Sequence, residues 1–468
     1  MNTNSRRDYL LKNTMLFTLG NLGSKFISFF LIPLYTNALT TGQYGTVDLI
    51  TTVSTVAVPV ITLNIGESVM RFALDKNADH KMITRCGIYV LLVGSLFGII
   101  IIPICKMFGS ISAYSIFTYF YVISSAFSQL FLCDLRGKEL LLYYSIGNII
   151  NTLLIAIFNI VLLVIFSRGI EGYLMAYILA NFITAFYAII VGKSLSKFQI
   201  RRINIPLLKE MVRYSIVLIP NSFMWWIMNS SDRIMVTGMV GIAANGIYAI
   251  SYKLPTLVST LTQVFNQAWG YSAIREQDAV DESEYNNKVF KALTGFIMLV
   301  GIAILTFSKP FLRIYVSANY FTAWKYIPFL TIGCVYLTLG TFIATSYTVH
   351  KDSFGYLFSG MFGAVFNIVL NFALIPIIQV YGAALATCMS YILVFLFRMV
   401  HTRKYIRYKI NNVEFIGGTA ILLLSSCCIY INGKIGFMAQ VGLLVAAFFL
   451  FRDSWKPVIL SIFRMAKR

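Results

Sequence analysis

Few side chains in this sequence can do chemistry, and the informative ones sit inside apolar runs. Trp225 to Gly238 reads WWIMNSSDRIMVTG, an Asp232-Arg233 pair within a stretch long enough to cross a bilayer. Lys253 lies in the next apolar run, Lys25 in the first, and Asp48 and Glu67 near the two ends of the second. A charge near mid-membrane costs roughly 2.5–3.5 kcal/mol on insertion scales, so such residues face a bundle interior or a watery cavity. Lys25, Arg233 and Lys253 against Asp232 leave a cationic excess. That excess suits an anion such as a diphosphate, to which Arg offers a bidentate fork and Lys a point charge. Arg71 and Arg275 close the second and eighth runs at the end where an anionic headgroup would first arrive. Blander readings stand beside these. Asp232 could pair with Lys253 and pin two helices together. Arg71 could pair at the surface with Glu67, four residues before it. Asp232 and Arg233 are adjacent, so they diverge around a helix and are not expected to be each other's sole partner.

Asn367 and Asn371 are spaced i, i+4 and share a helix face. They suit either interhelical hydrogen bonds or contacts to a sugar. Trp225, Trp226 and Trp269 suit core packing or stacking on sugar rings, and Trp324 suits a membrane interface. No catalytic constellation is expected. The three histidines, His80, His350 and His401, are far apart in sequence. No metal-ligand cluster and no phosphate loop of the GxxxxGK[ST] kind is present. The seven cysteines fall in or at the ends of apolar runs, without a CxxC spacing, and read as small packing residues.

These residues must be positioned by membrane helices. The chain has 468 residues, 58% hydrophobic and 12% charged, with a mean hydropathy of +0.77. A soluble domain carries about 25% charge. A span needs about 20 mostly apolar residues, and fourteen candidate runs extend from 12–39 to 435–451. The first run is too long for a cleavable signal, and no A-x-A-like site follows it. With the N-terminus in the cytoplasm, the outer segments hold only Lys106, Arg168, Lys309, Arg313, Lys325 and Lys434 of the 38 Lys and Arg residues. Apart from the three within spans, the rest lie inside, which places both termini in the cytoplasm. Basic loops against an anionic leaflet account for the net charge of +20, so no nucleic-acid partner is needed.

The expected fold is an all-α integral membrane protein of about fourteen transmembrane helices. Two six-helix lobes, residues 1–192 and 214–402, flank a basic cytoplasmic linker, 193–213. An extra helix pair and basic tail fill 403–468. Gly45 and Gly246 each open a turn-to-helix step before a proline-bearing helix (Pro59 and Pro255), as an internal repeat would require. Prolines in the first two helices of each lobe predict bending there.

Several stretches resemble the polysaccharide-transporter family (Wzx-type, the O-antigen and capsule flippases) of the superfamily that also holds the MATE exporters. They are LGNLGSKFISFFLIPLYTNALTTGQYG (19–45), YSIVLIPNSFMWWIMNSSDRIMVTGMVGIAANGIYAISYKLP (214–255), VFNQAWGYSAIRE (264–276), YFTAWKYIPFL (320–330) and FNIVLNFALIPIIQVYGAALAT (366–387). The resemblance implies two six-helix lobes around a commonly cationic cavity. It implies a cargo of undecaprenyl-diphosphate-linked oligosaccharide, flipped between leaflets of a bacterial plasma membrane by alternating access. Coupling to a proton or sodium gradient would fall to Asp232 or Asp48, with no other cofactor. A polysaccharide polymerase and chain-length proteins are the partners expected beside the membrane lipids. A peptidoglycan-precursor flippase, a MATE-like exporter of cationic small molecules and a glycan polymerase are the competing readings. The cationic excess disfavours the exporter, and the short outer loops disfavour the polymerase.

Overall fold

A computed structural model describes residues 23–75, 78–107, 109–195, 203–275, 282–410 and 412–454. Among them the regular structure is helical throughout. Nine helices are long and apolar enough to cross a membrane, and three more are apolar but shorter. The expected all-α membrane fold is therefore observed. The chain divides into two compact units, residues 1–226 and 227–468.

The first unit begins with α1, residues 23–38. Helix α2 (Thr41–Ile61) starts at a capping box in which Thr40 and Gln43 satisfy each other's free backbone N–H groups. Pro59 lies inside α2, and the chain then turns through Leu63 and Asn64, both with positive φ, before α3 (Ile65–Ala73). The second span is thus broken three residues after its proline. Helix α4 (His80–Phe97) runs through a tight turn into α5 (Ile101–Met107). Then come α6 (Ser115–Gly137), α7 (Leu141–Asn159), α8 (Gly169–Gly192) and α9 (Ile205–Ile216). Helix α9 overlaps the expected linker. It is anchored where the Ser68 hydroxyl donates to the Met211 carbonyl at 2.5 Å, and Met211 is buried.

Helix α10 (Ile219–Met239) leads into the second unit. There follow α11 (Ile242–Ser251), α12 (Pro255–Arg275), α13 (Glu282–Tyr315), α14 (Ile327–Val349), α15 (Ser353–Ile378) and α16 (Val380–His401). Pro255 opens α12, where its missing N–H costs nothing, so the eighth span is also broken, over residues 252–254. The extra pair, α17 (Asn412–Cys428) and α18 (Lys434–Leu450), packs on α13.

The two units share one packing pattern. In the first unit α8 packs against both α6 and α7, and in the second α16 packs against both α14 and α15. Gly333 and Gly340, seven residues apart on α14, meet the backbone of Cys388 and Phe395 on α16. A Cβ at Gly333 would lie 3.1 Å from the Cys388 Cα, so the two helices touch through backbone. Burial separates the roles of the helices. Helix α14 is 83% buried and forms the core of its unit, while α7 and α15 are 22% and 28% buried and present apolar side chains outward. Lipid is the solvent that suits such faces.

Candidate functional site

Asp232 is 1% exposed and sits at the centre of a hydroxyl cluster in the second unit. Its Oδ2 accepts from the Tyr248 hydroxyl at 2.6 Å, the Tyr252 hydroxyl at 2.8 Å and the Thr387 hydroxyl at 3.2 Å. Its Oδ1 accepts from the Arg233 backbone N–H at 3.0 Å. Tyr248 and Tyr252 are four residues apart, so α11 and the turn after it turn both phenols to α10. Thr387 comes from α16. A buried carboxylate needs several donors to offset lost hydration, and here neutral hydroxyls supply them.

Arg233 leaves the helix on a different heading, as expected for adjacent residues. Its guanidinium lies over the Tyr252 ring, 5.3 Å from the centroid. Lys253 follows Tyr252 within the break between α11 and α12 and is half-buried. The structure therefore brings Arg233 over the ring of the residue that precedes Lys253. Lys25, the third cation, is exposed on α1 in the first unit. Asp48 is buried on α2. The side chain of Arg275 lies outside the described residues. Arg71 pairs with Asp75 at 2.7 Å, with both side chains about half exposed. The expected partner Glu67 faces elsewhere, into a cavity.

Asn367 and Asn371 are both buried, and the Asn371 amide donates to the Asn367 side chain at 3.0 Å and carbonyl at 2.9 Å. The pair is tied within α15. Trp269 is stacked in a core cluster with Phe265 and Phe342, which is the packing role. Trp226 donates from its ring nitrogen to the Thr52 carbonyl at 2.9 Å.

The larger polar feature lies in the first unit. A cavity of about 600 Å³ is lined by Thr51, Ser54 and Thr55 of α2, Asn64 and Glu67 at α3, Tyr121, Ser125 and Gln129 of α6, and Ser222. A second space of about 320 Å³ shares Glu67, Ser125 and Gln129 with it, and adds Asn148, Asn151, Asn181 and Arg136. Asn151 donates to Asn181 Oδ1 at 3.0 Å and to Thr184 at 3.1 Å, and Asn181 donates to Ser125 at 3.1 Å. This relay fixes the amides on α7 and α8 in orientation. The joint lining holds one carboxylate, Glu67, and one guanidinium, Arg136. Such a surface mixes amides and hydroxyls with Val58, Pro59 and Leu218, and is nearly neutral, which suits the polar edges and apolar faces of a sugar.

Residues 10–270, more than half of the chain, match the polysaccharide biosynthesis protein family. The chain belongs to that family. A relative in Haemophilus influenzae, the Lsg locus putative protein 1, is 20% identical over 351 residues, covering 72% of this chain and 84% of that one. The fold is similar to that of the lipid II flippase MurJ in an inward closed conformation, with a TM-score of 0.64, 14% identity, and coverage of 95% of this chain and 100% of that one. It is equally similar to an inward-facing multidrug resistance MATE transporter of the MOP superfamily, with a TM-score of 0.65, 11% identity, and coverage of 88% and 96%. The resemblance read from the sequence thus holds for family and fold. This polysaccharide biosynthesis family member is a multi-pass membrane protein with a transporter fold.

Within this family member the sequence reading found the charged residues and missed the amide cavity. Gln129, the pair Asn148 and Asn151, and Asn181 lie on three different helices. The one available signal was their presence in otherwise apolar spans, where an amide needs a partner.

Proposed function

We propose that the protein flips undecaprenyl-diphosphate-linked oligosaccharide units from the cytoplasmic to the outer leaflet of a bacterial plasma membrane. It does so by alternating access, for surface polysaccharide synthesis, and it makes or breaks no covalent bond. The observation that carries this reading is the amide- and hydroxyl-lined cavity of the first unit. Its 600 Å³ falls in the range of about 300–1,000 Å³ typical of small-molecule sites. Its near-neutral lining favours sugar hydroxyls over a cationic drug. Arg233, held over the Tyr252 ring, and Lys253, the residue after that tyrosine, are the groups for the diphosphate, with Lys25 as a third cation. Asp232 and Asp48 are the acids through which a proton or sodium gradient would act. Glycosyltransferases supply the cargo inside, and a polymerase with its chain-length partner consumes it outside.

Deletion of the gene tests the reading. Surface polysaccharide should be lost while complete lipid-linked repeat units accumulate on the inner leaflet. Normal surface glycan would reject it. Arrest of peptidoglycan synthesis with surface glycan intact would favour the peptidoglycan-precursor reading instead. Single repeat units displayed outside would indicate a polymerase.

A further inference from the structure

The last helix pair forms a site of its own. A cavity of about 750 Å³ lies where the end of α13, the turn after it, and the α17–α18 connection meet. Its lining includes Lys309, Arg313 and Lys434, three of the six basic residues that the sequence assigns to outer segments, and no acid. Lys309 and Arg313 are four residues apart on α13, so they share a face and repel each other. The Lys309 ammonium sits 4.0 Å from the Trp324 ring centroid and donates to the Ile429 carbonyl at 3.3 Å. Arg313 lies over Phe321 at 5.9 Å. Lys434 opens α18 after Gly433, whose φ of +84° favours glycine and beside which a Cβ would meet open space.

Beside Asn432 and the buried Gln440, much of the remaining wall is apolar, and part of it faces outward. Ile314 is 90% exposed, and Ile431 and Phe437 are also exposed. A cationic cradle continuous with apolar surface, at the end of a membrane helix and beside an interfacial tryptophan, fits an amphiphile with a phosphate head. None of Lys25, Arg233, Lys253 or Asp232 belongs to it, so it is separate from the proposed cargo residues.

We propose that this cavity is a resident-lipid site that holds the phosphate of an anionic glycerophospholipid, with its acyl chains along Ile314, Ile431 and Phe437. The phosphate relieves the repulsion between Lys309 and Arg313 and ties α18 to α13. A bilayer phospholipid reaches such an outward-facing wall laterally, without entering a transport path. This gives the last helix pair a function independent of the flipping step.

The test uses the full chain purified in detergent and native mass spectrometry with phosphatidylglycerol, with phosphatidylcholine of the same acyl chains, with undecaprenyl diphosphate, and with inorganic phosphate. Phosphatidylglycerol should be retained in preference to the other three. The triple variant K309Q/R313Q/K434Q should lose that retention by about tenfold or more. K106Q/R168Q/K325Q, with the same loss of charge, should keep it. A second readout needs no charge variant: brominated phosphatidylglycerol should quench the emission contributed by Trp324, defined by difference from W324F, more than brominated phosphatidylcholine does. Equal retention of phosphatidylcholine or inorganic phosphate, stronger retention of undecaprenyl diphosphate, equal loss in both triple variants, or quenching independent of headgroup would each overturn the proposal.

Discussion

Tyr248 donates to Asp232 across 2.6 Å, with both residues buried, and so joins α11 to α10 by a hydrogen bond to an acid. Removing the hydroxyl in Tyr248→Phe leaves two hydroxyls on the same carboxylate oxygen. Hydrogen bonds to charged groups contribute about 1.5–3 kcal/mol. The variant should unfold at a lower temperature in detergent. Thr387→Val, losing the longer 3.2 Å contact, should shift the midpoint less. An unshifted midpoint for Tyr248→Phe would show that the cluster does not hold the helices.

Arg233→Gln and Lys253→Gln should each slow transport by roughly tenfold or more, from loss of about 1.5–3 kcal/mol per charge-assisted bond. Lipid-linked repeat units should build up inside while the protein remains in the membrane at normal level. Arg233→Lys should recover only part of the activity, because the bidentate fork is gone. Full transport in the double variant would remove these residues from the diphosphate role.

Asn151→Ala breaks the relay from Asn151 to Asn181 and Thr184. Affinity for the glycosylated lipid should fall by about tenfold, while affinity for undecaprenyl diphosphate lacking sugar stays constant. Binding assays with the two lipids separate the outcomes. An equal fall for both would place the defect in folding or in the diphosphate contacts.

Asp352 lies in the turn between α14 and α15 and caps α15. The Gly355 backbone N–H, donating at 2.8 Å, and then Lys404 and Tyr405 hold its carboxyl at about 2, below the usual carboxylate range. A depressed folded-state value stabilises the protein above the unfolded value of 3.8, and that stabilisation is lost as pH falls toward 2. Asp352→Ala should therefore cost about 0.5–2 kcal/mol at neutral pH, as lost helix caps do. The gap in unfolding midpoint between the two proteins should narrow below pH 4. A gap independent of pH would exclude the ionised cap.

The legible part of this molecule was what periodicity and membrane cost could see. The apolar runs marked the helices, and the expense of a buried charge singled out Asp232, Arg233 and Lys253. Depth along two successive spans put Arg233 and Lys253 at a similar level, and Arg233 lies over the ring of Tyr252, one residue before Lys253. What stayed hidden depends on convergence from distant sequence. Thr387 reaches Asp232 from 155 residues away. Arg71 had acids at both i−4 and i+4, and spacing could not choose between them. The solvent-exposed Asp75 takes it, because Glu67 points into the cavity. The break in the eighth span fell at its proline, whereas Pro59 lies inside α2 and the break there comes later.

The cavity of the first unit takes its polar groups from α2, α3, α6, α7, α8 and the start of α10, with no helix supplying the whole wall. One substitution therefore changes one part of the wall and leaves the other helices' contributions in place. A wall built this way can change its polar pattern over evolutionary time, through single side chains, while the architecture around it stays fixed.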